Sequence, residues 1–440
     1  MKKHKHEYGL FTAITMIVGI VIGSGIFFKS DNILIATGGS VSLGVFMFCI
    51  AAIGIIFGSL SVSELASRES KAGGIITYAE YSLNKSFACA FGWFHTFLYY
   101  PTLLAVVSWV TGIYTCILFG LKGTLELQII IGFSVMAFLF LVNILSAKLG
   151  GYFQNTATII KLIPLILIAL IGLLFGDVSS ISVTDVTQME SVGWITAIAP
   201  IAFSFDGWIV ASSIGHEMKN PKKDLPKALV LAPIFILIVY VLYFIGISIY
   251  VGPETVMKLG DAHVDLAANN IFGPMGAKLI IIFVIISIMG TVNGLIMGLS
   301  RMPYSLALRG MFPKVKGLTK ISNKYGISVK SAVIAFILSV IAIIVHYLTQ
   351  KFNMLPNSDI SEISITINYV LFIVLYIKVF RMGCNGEITG VWRGKINPIL
   401  ATCGSLLILI GSISNPLFGL YAVICSIVLV SAIIFWKRKE

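Results

Sequence analysis

At 440 residues the chain is 58% hydrophobic and only 11% charged, with a mean hydropathy of +0.98. A soluble protein carries roughly 25% charged residues to cover its surfaces, so the composition excludes a soluble multidomain protein and makes the bilayer the solvent. The net charge of +12 calls for no nucleic-acid partner: membrane topology accounts for most of it, with anionic lipid headgroups as the expected neighbours.

A hydrocarbon core of about 30 Å needs roughly 20 apolar residues per helix. Runs of that kind predict about twelve spans: 9–28, 41–65, 87–119, 125–145, 153–175, 193–216, 228–251, 278–308, 329–349, 363–380, 396–412 and 417–436. The first follows the basic start Met1–Glu7; it is too long for a signal peptide and lacks a small-residue cleavage site. With twelve spans, 24 of the 31 lysines and arginines fall in loops on one side and five on the other, leaving Lys161 and Arg301 inside spans. Cytoplasmic loops carry the positive excess, so both termini are expected in the cytoplasm. The six cysteines, Cys49, Cys89, Cys116, Cys384, Cys403 and Cys425, have no CxxC spacing. They read as packing residues, with no disulfide framework or zinc site.

Two spans are interrupted. The first contains Gly23-Ser24-Gly25 at its middle, and each glycine costs about 1 kcal/mol relative to alanine in a helix. The bland reading is a close helix crossing, which small residues favour. The sixth span weighs against that reading, because it carries Asp206-Gly207 mid-membrane. A carboxylate there costs roughly 2.5–3.5 kcal/mol on insertion scales and faces a cavity or a partner. The interruptions lie five spans apart, an odd number, so a five-span repeat recurs upside down. Paired broken segments in inverted halves point to a transporter binding site. Where the first span unwinds, the amides of Ser24 and Gly25 lose their acceptors at a half-helix N-terminus and suit a carboxylate. Carbonyls of Val21, Phe203 and Asp206, at the ends of the preceding half-helices, are left to accept from an ammonium. Together they describe a receptor for a zwitterion, an amino acid rather than a sugar. Lys161 lies in the middle of the fifth span, too deep to reach water by snorkelling. It either donates to free carbonyls of the first span or titrates, and Pro164 just after it suggests a local bend.

The run Gly23-Ser24-Gly25-Ile26-Phe27, the stretch from Phe203 to Trp208, Glu217 with Pro221, and Pro226 with Ala228 carry a family resemblance. Gly73-Gly74 with Tyr78, Gln154 with Thr158 and Lys161, Gly290 with Asn293-Gly294, Arg301, and Arg309-Gly310 add to it. The chain resembles the amino acid–polyamine–organocation (APC) superfamily, and within it the L-type amino acid transporters, over essentially its whole length. The resemblance implies an all-α polytopic membrane protein with a five-plus-five inverted-repeat fold in one domain over 1–440. The first repeat would be 9–175, the second 193–380, with broken helices 1 and 6, and two extra helices would follow at 396–436. It implies alternating access, with the backbone around Gly23, Ser24 and Gly25 holding the substrate carboxylate. The α-amino group would go to carbonyls of Val21, Phe203 and Asp206. Phe203 matches a gating aromatic, Lys161 stands where sodium-coupled relatives bind a cation, and Tyr243 matches a position that cooperates with it.

Two departures matter. Asp206 stands where many relatives have a small residue, so it either bonds locally at the break or draws cationic substrates. The short loop 119–124 lacks the cysteine by which animal members join a glycoprotein subunit, so no heavy-chain partner is expected, and the short termini point to a prokaryotic plasma membrane. His95 and His346 read as packing residues, and His216-Glu217 lacks the second histidine of a zincin motif. Glu64 and Glu80 are expected to pair with cytoplasmic lysines. A lipid-modifying enzyme would need clustered carboxylates or a long catalytic loop, a sensor would carry a signalling tail, and Lys161 repels the cation of a sodium symporter. No cofactor or metal is expected. The reading is a sodium-independent exchanger of small neutral L-amino acids. The alternatives are proton-coupled symport, or transport of cationic amino acids or polyamines.

Overall fold

The computed structural model describes residues 8–69, 71, 73–180, 197–322, 324–355, 359–413 and 417–440. Its helices run, in chain order, α1 (Leu10–Val21), α2 (Ser24–Ala36), α3 (Val41–Arg68), α4 (Ile75–Ser82), α5 (Lys85–Phe94), α6 (Tyr100–Phe119), α7 (Leu125–Leu145), α8 (Ala147–Phe175) and α9 (Ile198–Phe205). They continue with α10 (Pro221–Val251), α11 (Pro253–Leu259), α12 (His263–Leu299), α13 (Met302–Leu308), α14 (Val329–Lys351), α15 (Glu362–Cys384), α16 (Asn397–Ile413) and α17 (Phe418–Lys437). A π-turn at His95–Tyr99 joins α5 to α6, and a 3₁₀ segment, Trp208–Glu217, follows α9.

Among the described residues, ten helices are long and apolar enough to cross a membrane. The first and sixth expected spans supply the other two crossings, each in halves: α1 with α2, and α9 with the 3₁₀ segment. Residues 193–196 of the sixth expected span lie outside the described residues. Local chemistry starts the helices where hydropathy alone is vague. Side chains of Ser40, Asn84, Thr124 and Ser146 accept from the amides of Leu43, Phe87, Leu127 and Leu149, capping α3, α5, α7 and α8. Helix α12 begins well before the expected position 278, but Gly273, at φ 69°, interrupts it, so the apolar crossing starts just past that point. Helix α8 continues unbroken through Pro164.

The two broken crossings sit at the centre. Helix α1 packs on α8, α10 and α12, while α9 packs on α2, α3 and α16. Glycine lets some of these backbones approach closely. A methyl built on Gly54 of α3 would lie 2.8 Å from Gly404 Cα of α16, the small-residue contact that substitutes for a hydrophobic driving force in lipid. Large apolar side chains left exposed, such as Ile130, Leu141, Ile341 and Val430, face outward, as a bilayer solvent requires.

Candidate functional site

Helix α1 stops at Val21, and Ile22 (ψ 81°) and Gly23 (φ −117°, ψ −136°) leave helical geometry before α2 begins at Ser24. A helix end leaves its last carbonyls without amides, and in hydrocarbon each must find another donor. Three side chains supply them. Lys161 Nζ on α8 donates to Gly19 O and Ile22 O, both at 2.5 Å. The Thr291 hydroxyl on α12 lies 3.2 Å from both Gly19 O and Ile20 O. The Tyr240 hydroxyl on α10 reaches Val21 O at 2.7 Å, and Gly23 N–H donates to the same carbonyl. The Val21 carbonyl, expected to be free for a substrate, is therefore already engaged in this conformation.

Tyr240 does a second thing. Its hydroxyl is also 2.7 Å from Ser204 O, in the last turn of α9, so one phenol oxygen spans both broken crossings. Tyr243, expected from the resemblance, is buried three residues further along the same helix. On the other side of the break Gly23 offers α2 no side-chain cap. The first-turn amides of Ser24, Gly25 and Ile26 thus have no intrahelical acceptor. The side chains of Ser24 and Phe203 lie outside what the structure describes.

The second break turns at Gly207, whose φ of 98° is the left-handed conformation that favours glycine. Asp206 just before it is buried, and its carboxylate accepts from Tyr99 Oη at 2.6 Å. Tyr99 closes the π-turn between α5 and α6, where one extra residue per turn re-aims side chains. His95 at the start of that turn lies 2.8 Å from Asn368 Oδ1 on α15.

Glycines bring the two breaks together. A methyl on Gly25 would sit 2.7 Å from Ser204 Cα, and one on Gly23 would collide with the Thr291 hydroxyl. Between the breaks lies a cavity of about 30 Å³, a size that holds about one water; a larger guest requires the breaks to move apart. It is lined by Ile20, Val21, Gly23, Gly25, Asp206 and Gly207 of the two broken crossings, and by Leu103, Val107, Thr291 and Leu295 of α6 and α12. Val21, Gly23, Gly25 and Asp206 thus come together as expected, whereas Lys161 stands behind α1 and acts on it from outside the cavity. Leu103, Val107, Leu295, Thr291, Tyr99 and Tyr240 were missed. Thr291 was within sight, lying between the noted Gly290 and Asn293; the apolar three carry no sequence signal that separates them from core.

Behind α1 a polar strip continues: Thr158 Oγ1 donates to Thr15 O at 2.9 Å, Asn293 Nδ2 to Gln154 Oε1 at 2.9 Å, and Asn143 Nδ2 to Asn293 Oδ1 at 2.7 Å. At the ends of the sixth and eighth crossings, Arg301 grips Glu217 with two hydrogen bonds, at 2.6 and 3.0 Å, both side chains buried. Tyr8 pairs with Met218 beside them. Glu80 pairs with Arg309, and Glu64 with Arg68 and Arg393. These partners are arginines rather than the expected lysines. Among the described residues no three His, Cys, Asp or Glu side chains are placed to share a metal ion.

Residues 8–439 match the family described as amino acid permease. The chain is similar to the serine/threonine exchanger SteT of Bacillus subtilis (strain 168), 29% identical over 410 residues, 92% of this chain and 90% of that protein. It is 28% identical over 317 residues to the b(0,+)-type amino acid transporter 1 of Mus musculus, covering 70% of this chain and 64% of that one. Against the human Asc-type amino acid transporter 1 the identity is 26% over 335 residues, 72% of this chain and 62% of that one.

Proposed function

The chain belongs to the amino acid permease family, and from that premise we propose that it exchanges small neutral L-amino acids by alternating access, without sodium. Membership makes it a multi-pass membrane transporter of amino acids. The observation that carries the finer reading is the meeting of two helix breaks around a cavity walled by the backbone of Gly23, Gly25 and Gly207. Uncapped amides of α2 suit the substrate carboxylate, and carbonyls of Phe203 and Asp206 at the end of α9 suit the α-ammonium. Leu103, Val107 and Leu295 make the facing part of the lining apolar, which suits a short, uncharged side chain. Phe203 serves as the gate over the bound substrate.

Lys161 supports sodium independence. Its amine holds the two carbonyls of α1 that a cation would otherwise coordinate, and an ammonium there repels one. Exchange is supported by the likeness to a serine/threonine exchanger. We read residues 9–175 and 193–380 as inverted repeats, with 396–436 appended; α1 packs on α8 as α9 packs on α15, which suits that symmetry. The loop charges support cytoplasmic termini, and the likeness to a Bacillus subtilis protein supports a prokaryotic plasma membrane. The chain works without a heavy-chain subunit or covalent chemistry.

Asp206 in the cavity wall favours one second reading, a cationic substrate, although Tyr99 already donates to it. Uptake of labelled serine into proteoliposomes tests both. Uptake that needs internal serine or alanine and ignores sodium and a pH step supports exchange. Accumulation in empty vesicles under an inward proton gradient overturns exchange for symport, and uptake of lysine in place of serine overturns the neutral substrate.

A further inference from the structure

Far from the breaks, a groove of about 480 Å³ lies between the segment that follows α13 and the last turns of α17. It shares no lining residue with the central cavity. Its floor is aromatic and held in place. Phe312 stacks on Phe97 at 6.1 Å, Phe435 packs on Trp93 at 5.1 Å, and Trp93 Nε1 donates to Met311 O at 2.7 Å. Its rim is cationic, with Lys314, Arg438 and Lys439 exposed. Lys439 closes one end by donating to Gly310 O at 2.5 Å, and its ammonium lies 5.7 Å from the Phe435 ring. We propose that this groove binds the headgroup of an anionic phospholipid.

Two features choose a lipid over a soluble anion. The groove stands at the end of a membrane crossing, where headgroups lie. Its apolar floor also runs on into Ile434, Val430 and Ile427, exposed along α17. That helix is the least enclosed crossing, with 11% of its apolar window buried, so acyl chains cover it. A soluble phosphate would use the rim and leave the floor bare. The headgroup phosphate sits among the three cations, while the chains lie along α17. Each basic residue near a membrane surface contributes roughly fivefold to such binding.

The test is native mass spectrometry of the full chain released from nanodiscs of phosphatidylglycerol or phosphatidylcholine. The wild type is expected to retain phosphatidylglycerol and shed phosphatidylcholine. Lys314→Gln/Arg438→Gln/Lys439→Gln should lower retention at least tenfold. Lys222→Gln/Lys223→Gln/Lys227→Gln, the same charge loss on α10, should leave it unchanged, and Lys314→Arg/Lys439→Arg should preserve it. Equal retention by the groove variant, equal retention of both lipids, or displacement of the lipid by millimolar inorganic phosphate would each overturn the assignment.

Discussion

Tyr240→Phe removes one oxygen and leaves the ring in place. That oxygen lies 2.7 Å from both Val21 O and Ser204 O, yet a hydroxyl has one proton, so a single full hydrogen bond is lost at any moment. Gly23 N–H still serves Val21, so the change falls on the bond to Ser204 O. Removing the donor to a buried carbonyl costs about 1–3 kcal/mol, or about 5- to 150-fold in a rate or an equilibrium. Tyr240 does not line the cavity, so substrate affinity should hold. In proteoliposome exchange we expect KM for serine within about threefold of wild type and a maximal rate at least fivefold lower. If the two half-helices keep the hydrogen bond throughout the cycle, the same energy appears instead as a lower Tm of the purified protein. Unchanged rate and unchanged Tm together would refute the view that this hydroxyl couples the breaks.

Lys161→Ala should abolish most exchange while Lys148→Ala leaves it near wild type, read as initial uptake normalised to protein; equal activity removes Lys161 from the mechanism. Gly25→Ala forces a methyl against Ser204 Cα at 2.7 Å, overpacking worth about 1–3 kcal/mol, and should cut transport at least tenfold. Gly419→Ala, with nothing within 4 Å, should be silent in the same assay. Glu217→Ala strands Arg301 in a buried site, which costs about 3–5 kcal/mol and should sharply lower Tm. Glu217→Leu/Arg301→Met should recover most of that loss, and failure to recover would mean that the pair acts through something besides its charges.

The twelve crossings were legible because a bilayer imposes one length on every helix, and hydropathy measures that length directly. The breaks were legible for a related reason: Gly23, Gly25 and the Asp206-Gly207 pair are expensive inside a continuous helix in lipid, so their presence announces that the helix is not continuous there. Lys161 was legible as a buried donor needing carbonyls. Residue type and depth alone therefore determined the membrane class and the interrupted helices.

What remained was a matter of rotation and reach. Nothing in the chain singles out Tyr240 of α10 as a residue whose hydroxyl lies between the breaks. Only the packing of α10 against α1 and α3 brings that hydroxyl to Val21 O and Ser204 O. The same holds for Tyr99, aimed at Asp206 by a π-turn, and for Thr291, which reaches α1 from 271 positions away. Sequence showed that orphan carbonyls had to exist, because backbone geometry is local; which side chains answer them was settled by tertiary structure, because a donor is chosen by distance in space.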